Sequence, residues 1–153
     1  MGSIIRFTHK ECGFEFDFYE GVGFRSFAMQ CESRKYMRSG EWGDYWKQLI
    51  ERYPEGTATL DKAICYCAKC RKYFQEPRIE FYIPKEGYHY VPKEGCDDSV
   101  PPYIVYEHYK LLEQETITCP DCETVAKVIE NSTQIPCPVC GKMRRGRDVG
   151  NWD

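Results

Sequence analysis

Four short segments of the chain share one spacing: His9-Lys10-Glu11-Cys12, Cys67-Ala68-Lys69-Cys70, Cys119-Pro120-Asp121-Cys122 and Cys137-Pro138-Val139-Cys140. Each sets two nitrogen or sulfur donors three positions apart, so a tight turn can aim both at one ion. Two such turns complete a tetrahedral donor set. Four turns therefore predict two bound metals, with His9, Cys12, Cys67, Cys70, Cys119, Cys122, Cys137 and Cys140 as candidate ligands. Binding energy at such sites is largely folding energy, on the order of 10–16 kcal/mol for zinc-finger peptides.

Ten cysteines in 153 residues could equally form disulfides. The start, Met1-Gly2-Ser3-Ile4-Ile5-Arg6, offers no apolar stretch of signal-peptide length, and no run approaches the ~18 apolar residues of a membrane span. Arg6 also stands where an N-myristoylation signal needs serine or threonine. The expectation is a cytoplasmic, reducing environment, where paired thiols bind metal more often than they crosslink. Asn131-Ser132-Thr133 then reads as a polar turn rather than a glycan acceptor. Net charge is −3 and the isoelectric point about 5.7. A chain that wraps phosphates is usually basic, so nucleic-acid contact would have to be local.

Fourteen residues separate Cys122 from Cys137. That gap accommodates a hairpin, with Val125, Lys127 and Ile129 alternating against Ala126 and Val128 and a turn at Glu130-Asn131-Ser132-Thr133. Ile135-Pro136 leads into the last knuckle, and a closing strand runs through Met143 and Arg145. Gly141 after Cys140 suits a left-handed backbone that lets amides reach the sulfurs. Residues 115–147 resemble the zinc-ribbon family, and the Cys-Pro-x-Cys-Gly ending is similar to a rubredoxin knuckle. The resemblance implies a metal and says little about function, because zinc ribbons serve many unrelated tasks.

His9-x-x-Cys12-Gly13 has the same form with imidazole as first donor. Phe16 follows Cys12 by four, as Phe74 follows Cys70, and either ring could pack beneath its turn. The expectation is two sequential sites: His9, Cys12, Cys67 and Cys70 in a degenerate ribbon interrupted by 54 residues, then Cys119, Cys122, Cys137 and Cys140. A cross-braced pairing is the alternative, and Cys31 or Cys65 could replace His9 as fourth ligand.

Within the interruption, Tyr45, Trp46, Leu49, Ile50 and Tyr53 recur at helical spacing. Ser39 or Asp44 could cap that helix, and Pro54-Glu55-Gly56 ends it. Core packing explains the aromatic stripe. Gly21-Val22-Gly23-Phe24 is a bend lacking the third glycine of a nucleotide-binding loop. Ile79 to Ile83 alternates as a strand. Pro84-Lys85-Glu86-Gly87 recurs as Pro92-Lys93-Glu94-Gly95, which predicts two turns. Asp97-Asp98-Ser99 marks the expected boundary between a module over 1–98 and a ribbon over 99–153. Residues 103–118 read as extended, with a helix over Tyr106 to Glu113 as the competing reading. The expected fold class is a small, zinc-stabilised α+β protein: two zinc-ribbon-like β modules with one amphipathic helix inserted in the first.

Thiolates and imidazole favour Zn2+ over iron, the second choice, and four protein ligands leave no coordination position for water. The expectation is therefore a structural role rather than an enzyme. His89 and His108 lack a local serine or cysteine partner, and no small-molecule substrate is evident. Cys96, in its loop, is the leftover thiol with reactive potential. Twelve tyrosines, eight phenylalanines and three tryptophans exceed what two ribbons bury, which points to another protein as partner. Nucleic acid is the alternative partner, through Lys142, Arg144, Arg145 and Arg147, with Lys69, Arg71 and Lys72 near the second knuckle and Tyr73 and Phe74 for stacking. Basic residues that merely offset thiolate charge give the same pattern. An iron-binding electron-transfer protein is the third reading.

Overall fold

The structure is a computed structural model, and it describes residues 2–21, 31–92, 100–130 and 132–152. Residues 22–24 of the expected bend, 93–95 of the second turn, Cys96, Asp97-Asp98-Ser99 and Asn131 lie outside the described residues. The chain is α+β, with mostly antiparallel strands, and it divides into two compact units. Neither unit is continuous in sequence. The first comprises Met1–Phe24, Asp61–Arg78 and Thr116–Asp153, and the second Arg25–Leu60 and Ile79–Glu115. This differs from the expected division at residue 98, because the two ends of the chain pair with each other.

In the first unit, β1 (Gly2–His9) lies between β2 (Phe14–Glu20) and β9 (Arg147–Trp152), antiparallel to both. Alternation along β1 sends Phe7 and His9 inward and leaves Arg6 and Thr8 on the opposite face. Arg6 donates to both carboxylate oxygens of Asp17 across the β1–β2 pair, at 2.7 Å each. Phe7 and Phe18 pack with Ile64, Tyr73 and Ile135, drawn from three further strands. Those strands are β3 (Thr57–Cys67), β4 (Lys72–Pro84) and β7 (Gln134–Pro136). Phe7 and Ile135 are fully buried, each contributing about 1.5–3 kcal/mol of transfer free energy.

The expected hairpin between the last two knuckles does not form. Instead β6 (Lys127–Ile129) pairs with β3 in the register Ile64↔Ile129, Cys65↔Val128, while β7 pairs across the final knuckle with β8 (Met143–Arg145). The apolar residues of β6 find more buried area against Ile64 and Cys65 than a two-stranded ribbon offers.

In the second unit the expected helix is present as α2 (Asp44–Arg52), with Trp46 and Ile50 buried against Met37, Ala58, Ile79 and Phe81. Tyr45 is exposed and donates to Glu113 at 2.9 Å, so one member of the aromatic stripe serves the surface. Neither Ser39 nor Asp44 caps it; Gly43 holds that position without a side-chain bond. Two more helices are described, against the single one expected. The first, α1 (Ser33–Ser39), is anchored by the buried Arg34, which donates to the carbonyls of Gly56 and Glu55 at 2.8 Å. The second, α3 (Pro102–His108), gives way to β5 (Tyr109–Gln114), so residues 103–118 are neither wholly extended nor helical over 106–113. The alternating run Ile79 to Ile83 lies in β4, which pairs with β5. After it, Tyr88 N–H closes a turn onto Lys85 O at 3.0 Å, with Gly87 at φ 77° supplying the left-handed residue.

Candidate metal centres

Three of the four knuckles close the turn of a β-hairpin in the first unit, and the other lies inside an isolated bridge. His9–Cys12 joins β1 to β2, Cys67–Cys70 joins β3 to β4, and Cys137–Cys140 joins β7 to β8. Cys119–Cys122 sits between the bridged residues Thr118 and Val125. The third and fourth turns share one backbone pattern. Cys119 and Cys137 donate their amides to the carbonyls five residues on, Thr124 and Lys142, at 2.8 and 2.9 Å. Glu123 and Gly141 return a bond to Cys119 and Cys137, both at 2.8 Å. In every knuckle the residue after the second donor is left-handed: Gly13 at φ 63°, Arg71 at 54°, Glu123 at 58° and Gly141 at 75°.

These turns meet in a nested order. His9, Cys12, Cys137 and Cys140 form one group of donors and Cys67, Cys70, Cys119 and Cys122 the other, with all donor atoms of a group within 4.8 Å of one another. The first knuckle thus joins the fourth and the second joins the third. This replaces the sequential sites expected from spacing, and it is not the cross-braced alternative either. The cause is topological: β9 returns to β1, which brings the last knuckle to the first, and β6 pairs with β3, which brings the third knuckle to the second.

Within the four-cysteine group, Cys67 Sγ and Cys122 Sγ are 3.4 Å apart, and Cys70 Sγ and Cys119 Sγ 3.9 Å. A tetrahedral ion with metal–sulfur bonds of about 2.3 Å sets its sulfurs roughly 3.8 Å apart. The two separations lie on either side of that value, so the group could hold a metal ion. Cys67 and Cys119 are fully buried, whereas Cys70 and Cys122 are half-buried. The amide of Cys70 donates to Cys67 Sγ at 3.3 Å, and the Thr124 hydroxyl lies 3.0 Å from Cys122 Sγ and 3.6 Å from Cys67 Sγ. That amide, with Thr124, draws the Cys67 thiol down to about 6, and Thr124 lowers Cys122. Facing Cys122 and burial push Cys70 up to about 12, and burial raises Cys119. Four sulfurs this close cannot all ionise until a cation neutralises them.

In the mixed group, His9 Nδ1 lies 3.4 Å from Cys140 Sγ. The ring is buried at the end of β1, while Cys140 is exposed. Its other nitrogen, Nε2, faces the Glu11 carboxylate at 3.3 Å and the Arg144 guanidinium. A Nδ1-bound metal would leave Nε2–H to donate to Glu11, a usual outer partner for a ligating histidine, and the Arg144 guanidinium, itself only a donor, would then have to turn away from Nε2. Burial pushes Cys12 up to about 11. Cys137, which burial alone would raise, is drawn down to about 6 by His9 and by the amides of Cys140 and Val139.

Neither Cys31 nor Cys65 joins a donor group. Cys65 is buried beside Ile117 and Ala126, and burial pushes its thiol up to about 11. The remaining histidines lie in the second unit, His89 Nδ1 at 2.8 Å from Glu55 and His108 stacked on Tyr88. Phe16 packs on Tyr73, and Phe74 beside Cys65, Ile117 and Ala126. Among the basic residues near the knuckles, Arg71 donates to Pro138 O at 3.3 Å and Lys72 pairs with Asp121. Thr124 escaped the sequence reading, although a hydroxyl two residues past a ligand is a recognisable sulfur donor. Searches of protein-family models, of curated proteins and of solved structures found no match to this chain. The site must be read from its own chemistry.

Proposed function

We propose that the protein is a structural zinc protein that acts as an interaction module for another protein. One observation carries the first half: eight soft or borderline donors stand in two closed groups of four. A closed set with no ligand position for water is a structural centre rather than a catalytic one. Zinc is preferred over iron because one group contains an imidazole, which zinc accepts as readily as a fourth thiolate, whereas rubredoxin-type iron takes four sulfurs. In this reading each centre is ribbon-like, built from two knuckle turns that are distant in sequence. The free thiols such centres need suit a reducing, cytoplasmic setting. No helix of the described residues is long and apolar enough to cross a membrane.

A protein partner is supported by the second unit. Its surface exposes Tyr45, Tyr103, Tyr106, Leu111 and Leu112. Tyr45, Leu49, Tyr53, Arg52 and Leu112 line a concavity of about 240 Å³ there. Exposed aromatics beside an arginine are the composition of binding hot spots. Elemental analysis of the intact protein tests the metal reading, which requires two zinc ions per chain and fails at one or none. The partner reading is tested by the double variant Leu111→Ser with Leu112→Ser, which should keep both metals and lose any stoichiometric partner that the parent retains.

A further inference from the structure

Across the outer face of the terminal sheet, one row reads Asp17, Arg6, Arg147. Arg6 already occupies both Asp17 oxygens and has the Glu15 carboxylate at 3.9 Å, so both neighbouring carboxylates are turned to Arg6 and neither pairs with Arg147. Arg147 stands directly opposite Arg6, a like-charge cross-strand pair that costs stability unless an anion lies between them. Arg145 lies on the other side of Gly146. A Cβ at Gly146 would meet Ile5 and Phe7 side-chain atoms at 2.3 and 3.0 Å, so the backbone of this segment is pressed against the core between the two arginines. Among the described residues, no carboxylate forms an ion pair with Lys10, Arg144, Arg145 or Arg147. The buried Nε of Arg144 also lacks an acceptor.

Two adjoining concavities, of about 290 and 400 Å³, share Thr8, Arg144 and Arg147. Lys10 and Glu11 line the first, and Arg145 the second. Glu11 is turned toward His9. We propose that this groove binds two phosphate groups in succession, as a nucleic-acid backbone or a short polyphosphate presents them. Guanidiniums offer paired N–H donors that match phosphate oxygens, and the Thr8 hydroxyl adds a neutral donor. Contact with His9 accounts for Arg144 as a neighbour of the mixed centre. It does not account for Arg145 and Arg147, which are exposed and make no hydrogen bond to a ligand of either centre among the described residues. The attraction is local. The first unit holds 12 lysines and arginines against 11 acidic residues, and the second 9 against 13.

The test uses the full-length, metal-loaded protein and three probes: a labelled single-stranded RNA, tripolyphosphate and inorganic phosphate. The double variant Arg145→Gln with Arg147→Gln should lower RNA affinity about tenfold or more and flatten its log–log salt slope by roughly 1.4, two phosphate contacts at ~0.7 each. Lys127→Gln, an exposed lysine on β6, should change neither. Tripolyphosphate binding that weakens in the double variant, with RNA not bound, keeps the site and makes a small polyphosphate its ligand. The proposal is overturned if neither probe binds at ~50 mM salt. It is overturned equally if the double variant binds like the parent, or if inorganic phosphate binds as tightly as tripolyphosphate. Metal content measured on the same samples separates this outcome from a failure of the metal reading.

Discussion

His9 Nδ1 lies 3.4 Å from Cys140 Sγ although 131 positions separate the two residues. The second centre closes inside this loop, since Cys67 Sγ and Cys122 Sγ meet across 55 positions. Nested closure makes a stoichiometric prediction that sequential sites do not. The double variant Cys12→Ser with Cys140→Ser should still bind one zinc per chain, because both substitutions strike one centre. Cys12→Ser with Cys70→Ser should bind none tightly, because each centre loses a ligand. Metal analysis after gel filtration reads both, and sequential sites would invert the two results.

Chelation should unfold the first unit. Bringing His9 to Cys140 carries a large loop-closure cost, and without a cation the clustered sulfurs repel as they ionise. A strong chelator is expected to abolish the near-ultraviolet dichroism of the tyrosine cluster around Tyr73 and to lower the melting temperature by tens of degrees, on the scale of a zinc-finger binding energy. An unchanged melting curve at zero bound metal would refute it.

Zinc affinity should fall on acidification, and the thiols give the sign. Without metal, Cys67 is depressed to about 6, so its ionised form favours the folded state above the ordinary thiol range, an advantage lost as pH falls through 6. Cys70, raised to about 12, acts oppositely: its neutral form favours folding at lower pH, an advantage lost as pH rises toward 12. Near neutrality a folded apo centre therefore keeps Cys70 and Cys119 protonated. Zinc entering a preformed four-cysteine centre at pH 7, where Cys67 is already largely ionised, should release fewer protons than the roughly four given up by an unfolded chain. Calorimetry in buffers of different ionisation enthalpy counts them.

The knuckles were legible because ligand spacing is a local property. Their pairing was not, because it depends on which strands β6 and β9 join. Val128 and Ile129 suit any apolar neighbour, and nothing within residues 123–136 distinguishes β7 from β3 as partner. Helix α2 announced itself through Trp46, Leu49, Ile50 and Tyr53. By contrast α1 buries Ser33 and Arg34 beside Met37, a polar face that periodicity does not recognise. Pro102 at the start of α3 suits a helical first turn, yet seven residues are too few to show a stripe. Glycine marked two left-handed knuckle positions, while Arg71 and Glu123 hid the other two.

Those four positions yield a matched pair of stability changes. A Cβ at Gly13 or Gly141 meets nothing within 4 Å, so alanine there costs only the left-handed conformation. Gly13→Ala and Gly141→Ala should each destabilise by about 1 kcal/mol. Arg71→Gly and Glu123→Gly relieve the same strain and should stabilise by about 0.5–1 kcal/mol, less where Arg71 forfeits its bond to Pro138 O. Thermal unfolding of the metal-loaded proteins gives the sign of each.

The second unit carries its own core and, among the described residues, no member of either donor group, which separates packing from coordination. Phe81 is fully buried among Trp46, Ile50, Ala58 and Ile79. Gly56 packs so closely on its ring that a Cβ there would lie 2.3 Å from the Phe81 Cζ. Phe81→Ala should cost about 3–5 kcal/mol, and Gly56→Ala should destabilise by overpacking the same spot, about 1–3 kcal/mol. Neither substitution reaches a ligand, so both variants should retain their full zinc complement on gel filtration. Loss of metal together with the Phe81 side chain would mean that the two units fold as one.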